Sequence, residues 1–79
     1  MSAMEHQRIS INPDVMAGTP CIAGTRIPVA TLLHWLGAGE APEQLVKQYP
    51  RLTLEDIQAA QAFAADVIAE KYSVEDAAE

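Results

Sequence analysis

The sequence predicts a mainly α fold, a three-helix, helix-turn-helix-like (homeodomain-like) bundle with a short N-terminal β arm or hairpin. The 79 residues allow a single domain, and the 49% of hydrophobic and 20% of charged residues are typical of a globular chain. Apolar residues recur at helical spacing in three segments after residue 28, each bounded by proline, glycine or a capping residue. We expect a flexible N-terminus at 1–8, one domain at 9–71 and an acidic tail at 72–79.

The segment 9–27 is predicted to form the β arm. Residues 9–11 (Ile-Ser-Ile) alternate apolar and polar side chains, as a short strand does, and residues 12–14 (Asn-Pro-Asp) are a turn signal. Residues 21–23 (Cys-Ile-Ala) form a short apolar run that ends at Gly24, which favours a second strand. The two strands would make an irregular hairpin.

Three helices are expected near 28–37, 42–49 and 53–71. Pro28 and Pro42 suit first helical positions, because the N–H that proline lacks would have no partner there. The predicted apolar faces are Val29, Leu32, Leu33 and Leu36 in the first helix, Leu45, Val46 and Tyr49 in the second, and Leu54, Ile57, Ala60, Ala64, Val67 and Ile68 in the third.

The third helix is expected to be capped by Thr53, with Asp56 three residues later, close to a capping box. In a helix-turn-helix reading the turn is 50–52 and this third helix is the recognition helix. Glu55 and Asp56 in its first turn would meet the positive end of the helix dipole, but they would repel DNA phosphates.

Charge is unevenly distributed. The whole net charge of −6 falls in residues 40–79, which hold nine acids against three bases. An acidic half suits a basic protein partner, although it could serve solubility alone. If DNA is bound, we expect the contacts to come from the basic residues Arg8, Arg26, Lys47 and Arg51.

No catalytic, cofactor-binding or metal site is predicted. Cys21 is expected to be a buried small hydrophobe, since His6 lies in a segment expected to fray and His34 is isolated on the first helix. With one cysteine there is no internal disulfide, and no apolar run approaches the length of a membrane span. We expect a cytoplasmic protein with no membrane partner and no small-molecule substrate.

A homodimer is predicted, with the C-terminal half of the third helix or the N-terminal arm at its interface, because the third helix would span roughly 27 Å against roughly 15 Å for the first. The uncovered apolar side chains are the predicted protein interface: Phe63, Val67, Ile68 and Tyr72, with Trp35 as either a core-edge residue or a partner-facing anchor. Arg26 is either a phosphate or carboxylate contact or an anchor for the arm, which pairs with an acid such as Asp56 or bonds to main-chain carbonyls.

Several motifs resemble one known family over roughly residues 8–70. They are Ile9–Pro13, Gly18–Val29, Leu36–Gly39, Pro42–Leu45, Tyr49–Ile57 and Ala60. The family is domain of unknown function 433, also described as VapB-like antitoxins. Ala41 departs from it, because the family tends to have serine or threonine just before the second helix, and losing that cap costs about 1 kcal/mol.

The resemblance implies a helix-turn-helix-like fold and an antitoxin role against a PIN-like ribonuclease toxin, with possible operator DNA. Two other functions stay open: a DNA-binding regulator without a toxin, and an orphan dimerisation or scaffold domain. An enzyme is not expected, since no nucleophile–base pair or metal set can be named.

Overall fold

The computed structural model of the protein describes residues 6–72. Along the chain lie β1 (Ile9–Ser10), β2 (Cys21–Ile22), α1 (Val29–Gly37), α2 (Pro42–Gln48) and α3 (Leu54–Tyr72), with one 3-10 turn at Met16–Gly18. Three helices and a two-stranded antiparallel hairpin confirm the predicted fold class. The predictions for residues 1–5 and for residues 73–79 lie outside the described residues.

The hairpin is short and is closed by side-chain turns. Ile9 pairs with Ile22, and Ser10 pairs with Cys21. Asn12 starts the turn as its sequence predicts: its Oδ1 accepts the Asp14 N–H at 2.9 Å. Two such short strands form few ladder bonds, so the arm depends on contacts with the helices.

Helices α1 and α2 begin differently relative to the proline near each start. Pro28 is the N-cap of α1, with ψ at 140°, so the helix begins one residue later than predicted. The Val29 N–H is satisfied by the Pro20 carbonyl at 2.9 Å, which ties α1 to the arm. Pro42 occupies the first turn of α2 as expected, and its N-cap Ala41 makes no side-chain cap.

The core lies where the hairpin meets all three helices. Its buried members are Ile22, Val29, Leu32, Leu45, Leu52, Ile57, Ala60 and Phe63. Leu54 was predicted to lie on the apolar face of α3, which is wrong, because it is 44% exposed. The buried side of α3 is instead turned toward Asp56 and Phe63, since the N-terminal arm packs there.

No helix within residues 6–72 is both long and apolar enough to cross a membrane.

Candidate protein-binding groove and basic loop

The residues before β1 are attached to α3 by two polar contacts. His6 Nε2 lies 2.7 Å from Asp66 Oδ2, and the His6 ring meets the Phe63 ring edge-on, with centroids 5.5 Å apart. Arg8 Nη1 donates to Asp56 Oδ1 at 2.9 Å. Residues 6 and 8 of the segment expected to fray therefore contact α3. No local pattern could have indicated the His6 contact, because its partner is 60 residues away.

Among residues 6–72, Asp56 is the charged residue that is buried, with 7% of its surface exposed. Its Oδ2 accepts the Thr53 N–H at 3.1 Å, and Thr53 Oγ1 accepts the Asp56 N–H at 3.1 Å. This reciprocal pair is the predicted capping box, with aspartate in place of glutamate. The anchor to Asp56 is Arg8, so the interpretation that gave this role to Arg26 is wrong.

An apolar groove runs between the N-terminal half of α1 and the C-terminal half of α3. It has a volume of about 220 Å³. Its walls are lined by Thr19, Pro20, Val29, Ala30, Leu33, Phe63, Ala64, Val67 and Ile68. We call this set the apolar groove. Only Thr19 among the nine has a polar side chain, so the groove offers contact area and almost no hydrogen bonding.

The structure divides the predicted interface residues into two kinds. Phe63 is 9% exposed and belongs to the core, and it also lines the groove. Val67 and Ile68, at 37% and 51% exposure, form the open rim of the groove. Trp35 and Tyr72 are also exposed, at 40% and 65%, but they do not line it.

Three of the four predicted DNA contacts come together around Gly24. The Ala23 N–H bonds to the Arg8 carbonyl at 2.8 Å, which places Arg8 beside this loop. A Cβ built on Gly24, whose φ is +79°, would lie 3.9 Å from Arg51 Nη2. Arg26 follows two residues later and is exposed. We call Arg8, Arg26 and Arg51 the basic loop cluster.

Lys47, the fourth predicted DNA contact, lies in the last turn of α2 and is exposed. Arg8 has part of its charge neutralised by Asp56. Within residues 6–72, Arg26 and Arg51 form no ion pair. Two arginines with uncompensated charge next to a positive-φ glycine can contact an anionic surface such as a phosphate.

The histidine and cysteine side chains hold structural positions. Cys21 is 1% exposed, and its Sγ donates to the Thr19 carbonyl at 3.4 Å. The exposed His34 packs edge-on against Trp35, with ring centroids 5.3 Å apart. Among the described residues no three His, Cys, Asp or Glu side chains come together as a metal site. The arrangement offers binding surfaces: an apolar groove, a basic loop cluster and the acids of α3.

Together these features define a small, three-helix, helix-turn-helix-like module with a β arm. The chain belongs to the family described as "Protein of unknown function (DUF433)", whose model matches residues 9–64. The match includes the arm, α1, α2 and the first half of α3, and it ends before Val67 and Ile68.

Two similar proteins extend the comparison. The uncharacterized protein y4eO of Sinorhizobium fredii (strain NBRC 101917 / NGR234) is 32% identical over 62 residues, which are 78% of this chain and 28% of that protein. The crystal structure of a DUF433 member protein from Anabaena variabilis ATCC 29413 has a TM-score of 0.68 at 36% identity. The superposition covers 84% of this chain and 60% of that one, so both relatives are much longer than the part they share with it.

Proposed function

We propose that this protein is a cytoplasmic, non-enzymatic binding module of the antitoxin type, which holds and neutralises a PIN-like ribonuclease toxin. The observation that carries the proposal is the apolar groove with its exposed rim of Val67 and Ile68. Apolar surface that a small domain leaves open at one edge of its core is typical of a protein interaction site.

The size and lining of the groove favour a protein over a small molecule. Its volume of about 220 Å³ is below the range of about 300–1,000 Å³ found for small-molecule sites. A small polar substrate would also need several convergent polar groups for orientation, and Thr19 is the only polar side chain there. One or two aliphatic or aromatic side chains from a partner helix would fit this space.

The charge of the helical half supports a basic partner. Residues 40–72 hold six acids against three bases, and Asp66 and Glu70 lie on the same helix as the groove rim. A basic toxin would meet favourable potential around an apolar anchor, which speeds association and selects against acidic partners. Binding should therefore weaken as salt rises.

The test is co-purification with the product of the neighbouring gene, followed by calorimetry on two matched variants. Ala30→Trp fills the groove from an exposed position on α1, whereas Ala38→Trp adds the same side chain at an exposed position outside the groove. We expect Ala30→Trp to weaken binding of the toxin at least tenfold and Ala38→Trp to leave it unchanged.

Two results would count against the proposal. One is no association between the two wild-type proteins at low salt, and the other is equal binding by Ala30→Trp and Ala38→Trp. Circular dichroism of both variants checks that each keeps its helical content. Loss of ribonuclease activity of the toxin on adding this protein would separate neutralisation from mere contact.

A second candidate function is a DNA-binding regulator, which the basic loop cluster favours. Arg8 and Arg51 lie beside the Gly24 loop and Arg26 follows it, but Glu55 and Asp56 begin the proposed recognition helix and disfavour phosphate contact there. The regulator predicts a shift of its own promoter DNA by the isolated protein, lost in Arg26→Ala/Arg51→Ala. If only the complex with toxin shifts the DNA, the antitoxin reading with operator binding is supported instead.

A further inference from the structure

The solvent-facing side of α3 carries a regular stripe. Six residues follow one another at alternating intervals of four and three, and each is exposed. They are Leu54, Gln58, Gln61, Ala65, Ile68 and Tyr72. We call them the outer stripe. A 4–3 repeat is the spacing at which one helix keeps a single face toward a second helix.

The outer stripe has no charged residue, although α3 contains five. Those five are Glu55, Asp56, Asp66, Glu70 and Lys71. At about 100° per residue, Asp66 and Glu70 lie on the opposite side of the helix from Ile68 and Tyr72. The charges are therefore segregated, and an apolar or amide surface follows the whole length of α3.

This segregation indicates what covers the stripe. A basic partner would gain most on the acidic side of α3, not on a face without charge. Two copies of a chain with net charge −6 repel each other, so they can approach most easily where acids are absent. The uncharged face that runs along α3 is the outer stripe.

We propose that two copies of this chain pair through the outer stripe, with their α3 helices antiparallel. In that register Leu54 of one copy faces Tyr72 of the second, Gln58 faces Ile68, and Gln61 faces Ala65. All three pairs recur by symmetry, as a two-fold interface requires. The apolar side chains with the greatest area lie at the two ends of the seam.

The antiparallel orientation follows from the charges at the helix ends. It places the end of α3 that carries Glu55 beside the end that carries Lys71 in the second copy, and it opposes the two helix dipoles. A parallel pair would bring like ends together. The two glutamines make the seam weaker than an all-aliphatic one, so we expect a dimer that dissociates on dilution.

Sedimentation equilibrium of the whole chain, with no toxin present, tests the pairing. Ala65→Arg places a charge in the middle of the seam, and Ala38→Arg places the same charge at an exposed position past α1. We expect Ala65→Arg to weaken dimerisation at least tenfold and Ala38→Arg to leave it unchanged. A wild-type chain that is monomeric up to submillimolar concentration, or a folded Ala65→Arg that dimerises normally, would overturn the proposal.

Disulfide trapping tests the orientation. In the antiparallel register, the double variant Gln58→Cys/Ile68→Cys brings the new thiols face to face between copies. Either single variant leaves its two thiols roughly 15 Å apart along the seam, too far for a disulfide. Oxidation should yield covalent dimers from the double variant only, whereas covalent dimers of Gln58→Cys alone would refute the antiparallel register.

The proposed dimerisation and the proposed toxin binding can be refuted independently of each other. The stripe variants are measured without toxin, and Ala30→Trp in the groove should dimerise like the wild type. The family model matches residues 9–64, so Ala65, Ile68 and Tyr72 of the outer stripe lie outside the residues that the model matches.

Discussion

Replacing Asp56 should destabilise this domain more than replacing any exposed acid on α3. Asp56 is 7% exposed and accepts two hydrogen bonds, one from the Thr53 N–H and one from Arg8. The neighbouring Glu55 is exposed and lies in the same first turn. Asp56→Ala and Glu55→Ala therefore differ in burial and bonding but share the helix dipole.

The magnitude follows from the bonds. Losing the bond from the Thr53 N–H to the Asp56 carboxylate costs about 1 kcal/mol, and the carboxylate's bond with Arg8 adds at most about 1 kcal/mol, because the Arg8 side chain is half exposed and screened by solvent. We expect the free energy of unfolding to fall by about 2 kcal/mol in Asp56→Ala and by about 0.5 kcal/mol in Glu55→Ala. For a domain of this size, 2 kcal/mol lowers Tm by roughly 8–16 °C.

Urea unfolding followed by circular dichroism measures both variants, with Arg8→Ala and the double variant Arg8→Ala/Asp56→Ala completing a cycle. The coupling energy should be below about 1 kcal/mol. If the free energies of unfolding of Asp56→Ala and Glu55→Ala agree within experimental error, the capping box does not stabilise the start of α3. If Arg8→Ala costs as much as Asp56→Ala, the ion pair is the main contribution and our division is wrong.

Three further predictions test the packing. In urea unfolding, Leu52→Ala should lower the free energy of unfolding by about 2–5 kcal/mol, because Leu52 is 2% exposed. Leu54→Ala should lower it by less than about 1 kcal/mol, because Leu54 is exposed. Equal losses from the two variants would contradict this core. By calorimetry, Gly37→Ala should raise Tm, because the added Cβ meets no atom within 4 Å and the residue is helical. Gly24→Ala should lower Tm, because the backbone φ there is +79°. The reverse order of the two Tm values would refute both assignments. His6→Ala should cost about 1 kcal/mol through its lost bond and ring contact, and a neutral result would show that residues 6–8 are not attached to α3.

Local chemistry was enough to predict most of the fold. Pro42, Thr53 and the residues around Asn12 act through neighbours within three or four positions, so their roles can be read from spacing. Helical periodicity likewise predicted the three helices. Where a predicted end differs from the observed one, the difference is a single residue.

The rotation of α3 could not be predicted in the same way. The helix is rich in alanine, so several faces look equally apolar, and periodicity favoured Leu54 over Phe63. What decides the buried side is the segment before β1, which brings His6 to Asp66 and Arg8 to Asp56 from 60 and 48 residues away. Polar contacts at such separation leave no trace in local spacing, and for that reason the candidate site was only partly predicted.

The segment before β1 also affects which surfaces of α3 stay open to a partner. It covers the flank of α3 that carries Asp56 and Asp66, and there its cationic and polar groups satisfy the two carboxylates. Ile68 and Tyr72, toward the C-terminal end of α3, stay exposed. Thr19 and Pro20 of the arm line part of the apolar groove, and Ile68 belongs to both the groove and the outer stripe. A bulky change at Ile68 should therefore weaken toxin binding and dimerisation together, whereas Ala30→Trp and Ala65→Arg should each affect only one.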